Sequence, residues 1–192
     1  MQTADWALVI SICSAAVSLA GFVWNVWSKF IYPKPVLKVH FAMVTILGDD
    51  SAGDFELLCL TATNMGPVEI TLKKALTVYP RSWLKEKRYG LLSVLSGIPS
   101  QGLDDETEIH GGPFAGGLPK KLAVGEEFSV YLVPDHESLA RGDYQKIGFD
   151  DSFGREHWAP RRDILQALPY IREACARAGK DWKSLRKESR DS

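Results

Sequence analysis

Hydrophobic patterning along the chain changes character twice. Positions 6–27 read WALVISICSAAVSLAGFVWNVW, with no ionisable side chain other than a thiol. About 22 apolar residues suffice for a helix to cross a ~30 Å hydrocarbon layer at 1.5 Å per residue. After YPKP, where Pro33 and Pro35 stop the helix from continuing, the period shortens to two. VLKVHFAMVTI places Leu37, Val39, Phe41 and Met43 on one face of a half-buried strand. FELLCLTATN is apolar on both faces, as a central strand would be. A third regime begins near Arg161, where Ile164, Leu168, Ile171 and Cys175 recur at helical spacing. Pro169 predicts a kink there or the opening of a second helix, and Gly179 a stop.

Turn chemistry divides the middle regime. GDDSAG, NMGP, the glycine of AVGEE and DSFG separate runs rich in β-branched and aromatic residues. DHESLARG reads as one or two helical turns, and the stretch 89–95 as an edge strand or short helix. The count is about seven strands, spaced as in an all-β sandwich. The predicted organisation is an anchor at 1–31, a β-sandwich at 32–160 with a long inserted loop at 80–121, and a helical tail at 161–192.

The apolar run has three explanations. A signal peptide needs a basic amino-terminal region, but only Asp5 is charged before the run. SLA before Gly21 resembles a cleavage site, yet the apolar run continues to Trp27. A soluble core helix rarely lacks charge over this length. A retained transmembrane helix fits best. Trp6, Trp24, Trp27 and Tyr32 would lie at the headgroups, and Ala15, Ala16, Ala20 and Gly21 form a small-residue patch suited to helix association. Lys29, Lys34 and Lys38 follow the span and no lysine or arginine precedes it. The positive-inside rule then puts the sandwich in the cytoplasm of a cell with an inner membrane and the amino terminus outside.

Three marks in the sandwich region carry a resemblance. They are T-x-T-N-x-G at 61–66, L-x-x-G-E at 122–126 and D-S-x-G-R at 151–155. On these the chain resembles uncharacterised bacterial proteins in which one amino-terminal span precedes an immunoglobulin- or fibronectin-III-like sandwich. The resemblance implies an immunoglobulin-like architecture over roughly 1–158 and supplies no activity. The 80–121 segment and the tail depart from it.

Composition narrows the functional classes. A formal net charge of −1 gives no overall attraction to nucleic acid, and the ten Lys/Arg from position 155 onward are diluted by six Asp/Glu. Nucleic acid is therefore not an expected partner. Cys13, Cys59 and Cys175 are odd in number and far apart, which argues against a disulfide framework. His40, His110, His136 and His157 show no metal-ligand spacing. HGGPFAGG lacks the lysine of a phosphate loop, and no G-x-S-x-G accompanies the serines. Asp151 reads as a hairpin cap. No catalytic, metal or cofactor site is expected. The reading is a non-enzymatic interaction or accessory module on the bilayer, binding another membrane or cytoplasmic protein. Its candidate partner surface is Trp83, Arg88, Phe114 and Trp182. Two alternatives stand beside it. One is a membrane-acting effector or sensor, for instance in anti-phage defence, that self-associates through its span; the other is a membrane-associated enzyme.

Overall fold

The computed structural model describes residues 3–28, 36–47, 55–79, 88–95, 114–136, 139 and 144–179. The first element is helix α1, Thr3–Val26. Eight strands follow among the described residues: β1 Leu37–Ile46, β2 Phe55–Asn64, β3 Ile70–Tyr79, β4 Arg88–Leu91, β5 Lys120–Leu122, β6 Glu127–Leu132, β7 Lys146–Asp151 and β8 Glu156–Trp158. Helix α2, Arg161–Arg177, comes last. The strands form two antiparallel sheets, β1-β2-β6 and β4-β3-β7-β8, with β5 also paired to β3.

Alternation decides which side chains meet between the sheets. Val39 and Phe41 of β1 and Leu58, Leu60 and Ala62 of β2 are buried in one cluster with Ile70, Leu72 and Ala75 of β3 and Ile147 and Phe149 of β7. Full burial of one such aliphatic or aromatic side chain stabilises by about 1.5–3 kcal/mol. Strand β2 is central and covered on both faces, as its unbroken apolar run predicts. Its odd-numbered Leu57 points away from the main cluster and packs with Leu95 and Val133. One glycine is fixed by close approach: a Cβ on Gly148 would run into the His157 carbonyl of the paired strand β8.

Within 80–121, expected as a long loop with an edge strand or short helix at 89–95, the described residues contribute to the fold. Residues 88–91 form β4 on the free side of β3, and Leu92, Val94 and Leu118 join the core. Strand β5 was not among the seven expected; three residues reading KKL show no alternation. The turn read at 48–53 and most of the helical turn read in DHESLARG lie outside the described residues.

Helix α2 lies along β1 and reaches β7. Ile164, Ala167, Ile171 and Cys175 enter the same core cluster as both sheets, and Leu168 packs against it. Pro169 opens no second helix, because α2 runs unbroken through it. The ring removes the N–H that would bond to the Leu165 carbonyl, one turn back. Both Leu165 and Pro169 are exposed, so that carbonyl lies on the side where water can serve it. The helix ends as expected: Gly179 adopts φ +68° and its N–H bonds to the Ala176 carbonyl (3.1 Å).

Candidate functional site

The first functional feature is α1. Its stretch Asp5–Val26 is 22 residues, long and apolar enough to cross a membrane, and none of it is buried against the rest of the chain. Trp6, Trp24 and Trp27 are all exposed. Trp6 and Trp24 are 18 residues apart, or about 27 Å along the axis, close to the ~30 Å of a hydrocarbon core. Ala16, Leu19, Ala20, Val23, Trp24 and Trp27 recur at helical spacing and line a shallow apolar depression on one face. Lys29 and Tyr32 lie outside the described residues.

The three sequence marks turn out to be joints of the fold. Asn64 ends β2 and is fully buried. Its amide nitrogen donates to the carbonyls of Val68 (2.9 Å), Leu122 (3.2 Å) and Ala123 (3.2 Å), and its oxygen accepts from the Gly66 N–H (3.0 Å). Main-chain bonds from Asn64 N to Glu126 O and from Gly125 N to Asn64 O complete the tie. One side chain therefore holds the β2–β3 and β5–β6 turns together.

Glu126 closes the second turn. Its carboxylate accepts from the Ala123 N–H (2.8 Å) and pairs with Lys120 (3.2 Å). The bond from Ala123, then that from Lys120, hold its pKa below the usual carboxylate range. Gly125 supplies the φ of +79° that this turn requires.

Asp151 closes the third. Oδ1 accepts from the N–H groups of Phe153 (2.8 Å) and Arg155 (2.9 Å), and Oδ2 meets His157 Nε2 at 3.0 Å. Burial pushes the carboxyl pKa up, but the bonds from His157, Arg155 and Phe153 outweigh it and leave the group below its ordinary value. Both oxygens are thus occupied in holding the hairpin, in line with the hairpin-cap reading.

The most concentrated polar row lies on the other face of β1-β2-β6. His40, Thr61 and Ser129 stand side by side across the three strands. Thr61 and Ser129 share a hydroxyl–hydroxyl bond (2.9 Å), and Cys59 Sγ lies 3.3 Å from Thr61 Oγ1. His40 Nδ1 reaches Asp163 of α2 at 3.3 Å. At the far end of the same helix, Arg177 meets Glu56 of β2 at 2.7 Å. These contacts link both ends of α2 to the three-stranded sheet. They join residues more than 120 positions apart, and no local pattern announces them. No group of three or more His, Cys, Asp or Glu able to hold a metal occurs among the described residues.

Of the candidate partner surface, Arg88 opens β4 opposite Tyr79, and Phe114 is exposed. Trp83 and Trp182 lie outside the described residues. Compared with protein-family models, curated proteins and solved structures, the chain matches none.

Proposed function

We propose that this protein is a single-pass, membrane-tethered binding module. Helix α1 crosses the bilayer, and an immunoglobulin-like domain on the cytoplasmic face receives a protein partner. The carrying observation is the state of α1: a predominantly apolar stretch of 22 residues with no share buried, beside a body that closes its own core without it. Such a surface requires an apolar medium.

The immunoglobulin-like reading draws support from connectivity and from one tyrosine. In the sheets β1-β2-β6 and β4-β3-β7-β8, strand β6 returns beside β2 and β7 beside β3, as strands E and F do in that fold. Tyr144, just before β7, is buried and donates its hydroxyl to the Leu139 carbonyl five residues upstream (2.8 Å). That is the geometry of a tyrosine corner at the start of strand F. Burial pushes the Tyr144 phenol pKa up, so it stays a donor. The three turn marks support kinship with bacterial span-plus-sandwich proteins. The lysines following α1 support the cytoplasmic side.

Purification of the full chain in mild detergent, with identification of co-purifying proteins and of complex mass, tests the function. A stable heteromeric complex is the expected outcome. A homo-oligomer that permeabilises vesicles would replace this reading with the effector one. The depression on α1 around Ala16 and Ala20 favours that second reading, because small residues let helices approach closely.

A further inference from the structure

The strand registers place four chain segments at one end of the sandwich. Leu37, which opens β1, pairs with Asn64, which closes β2. The Gly125 N–H bonds to Asn64 O, so the β5–β6 turn joins them. Ile70 at the start of β3 pairs with Leu122, and Ser152 N bonds to Thr71 O, which brings the β7–β8 hairpin tip to the same end. Each segment exposes a large apolar side chain there: Val36 (53% exposed), Met65 (62%), Val124 (58%) and Phe153 (71%).

This is also the end where the chain arrives from α1. Eight residue steps separate Ser28 from Val36, so the two lie within about 28 Å even at full extension. We propose that this end of the sandwich rests on the bilayer, with Val36, Met65, Val124 and Phe153 inserted among the lipid headgroups. The inference builds on the tether reading above.

Two of the lysines at this end are already paired within the protein, which favours apolar insertion over attraction by anionic lipid. Lys120 is paired with Glu126, and Lys121 with Glu69. The Arg155 guanidinium lies 5.4 Å from the Phe153 ring centre, a geometry in which the ring enters the interface while the cation stays at phosphate level. Phosphatidylcholine alone should therefore suffice. The contact would hold the domain in one orientation, with its opposite end and the β4 edge turned away from the membrane for a partner.

Site-directed fluorescence on the full chain in phosphatidylcholine vesicles tests this. An environment-sensitive dye is placed at Ser152→Cys or Ala123→Cys, next to Phe153 and Val124, and at Gln145→Cys at the opposite end. Cys13 is replaced by Ser in these chains; Cys59 and Cys175 are buried. A separate chain carries the dye on native Cys13. Dyes at 152 and 123 should shift to the blue and be quenched several-fold more by shallow brominated lipid than the dye at 145. Met65→Asp with Phe153→Asp should abolish the quenching at 123. Equal, weak quenching at 152, 123 and 145, with Cys13 still quenched by deep brominated lipid, overturns the inference and leaves the tether standing. An unquenched Cys13 overturns the tether and the inference with it. Quenching that appears only on adding anionic lipid overturns the apolar mode.

Discussion

The two helices of this molecule are built for different surroundings. In α1 apolar residues run around the whole circumference and none is buried, whereas α2 concentrates Ile164, Ala167, Ile171 and Cys175 into one stripe that enters the core. The exposed face of α2 carries Arg161, Arg162, Arg172, Glu173 and Arg177. A stripe needs one apolar neighbour and tolerates water elsewhere; an all-round apolar surface needs an apolar medium. Sequence proximity to the sheets decides nothing here. The relevant variable is the angular spread of apolar side chains around each axis.

Substitutions should therefore have separable effects in the two helices. Ile171→Asp places a carboxylate in the shared core and should cost about 4 kcal/mol or more of unfolding free energy by denaturant titration, leaving membrane retention of the folded fraction unchanged. Val17→Arg puts a charge near the middle of the proposed span, where insertion costs about 2.5–3.5 kcal/mol per residue. It should move chain out of the alkali-resistant membrane fraction without lowering the melting temperature of the two-sheet body.

The joints rank next. Asn64→Ala removes a fully buried clamp and leaves three carbonyls and one N–H to find other partners. A loss of about 2–3 kcal/mol is expected, read as a lower denaturation midpoint. Asp151→Asn should cost about 1–2 kcal/mol, since bonds to a charged group are the stronger ones. That cost depends on pH. The folded carboxyl pKa lies below its ordinary value, so its contribution is complete above the usual carboxylate range near ~4 and is lost as pH falls through the folded pKa. Midpoints of wild type and Asp151→Asn should converge in acid, and α1 should not respond. Arg177→Ala, at an exposed ion pair, should leave the midpoint unchanged within error.

Much of the local structure was legible because it depends on neighbours in sequence. Alternation in β1 announced Val39 and Phe41 as core, and the double-faced run 57–60 announced a central strand. Asp151 and Gly179 were legible through turn and cap chemistry. Strand β5 was not, since its three residues form a strand only because β3 offers an open edge. The choice between one continuous α2 and a second helix at Pro169 was also hidden. It depends on which side of the helix faces water, and that is set by packing on β1. Asn64 could be read as a turn residue, but its role as a clamp depends on Leu122 and Ala123, nearly sixty positions away. The apolar tips Met65, Val124 and Phe153 sat in turns that looked polar by composition, and only the strand registers bring them to one end. The candidate partner surface had no periodic signal behind it, and 80–121 offered one only at 89–95, where β4 forms.

The central claim is that α1 is a retained anchor. Its most direct test is the location and intact mass of the chain expressed in a bacterial host, after alkaline extraction of the membranes. The account predicts a chain that still carries residues 1–27 and stays with the bilayer. A water-soluble chain beginning near Gly21 would contradict it.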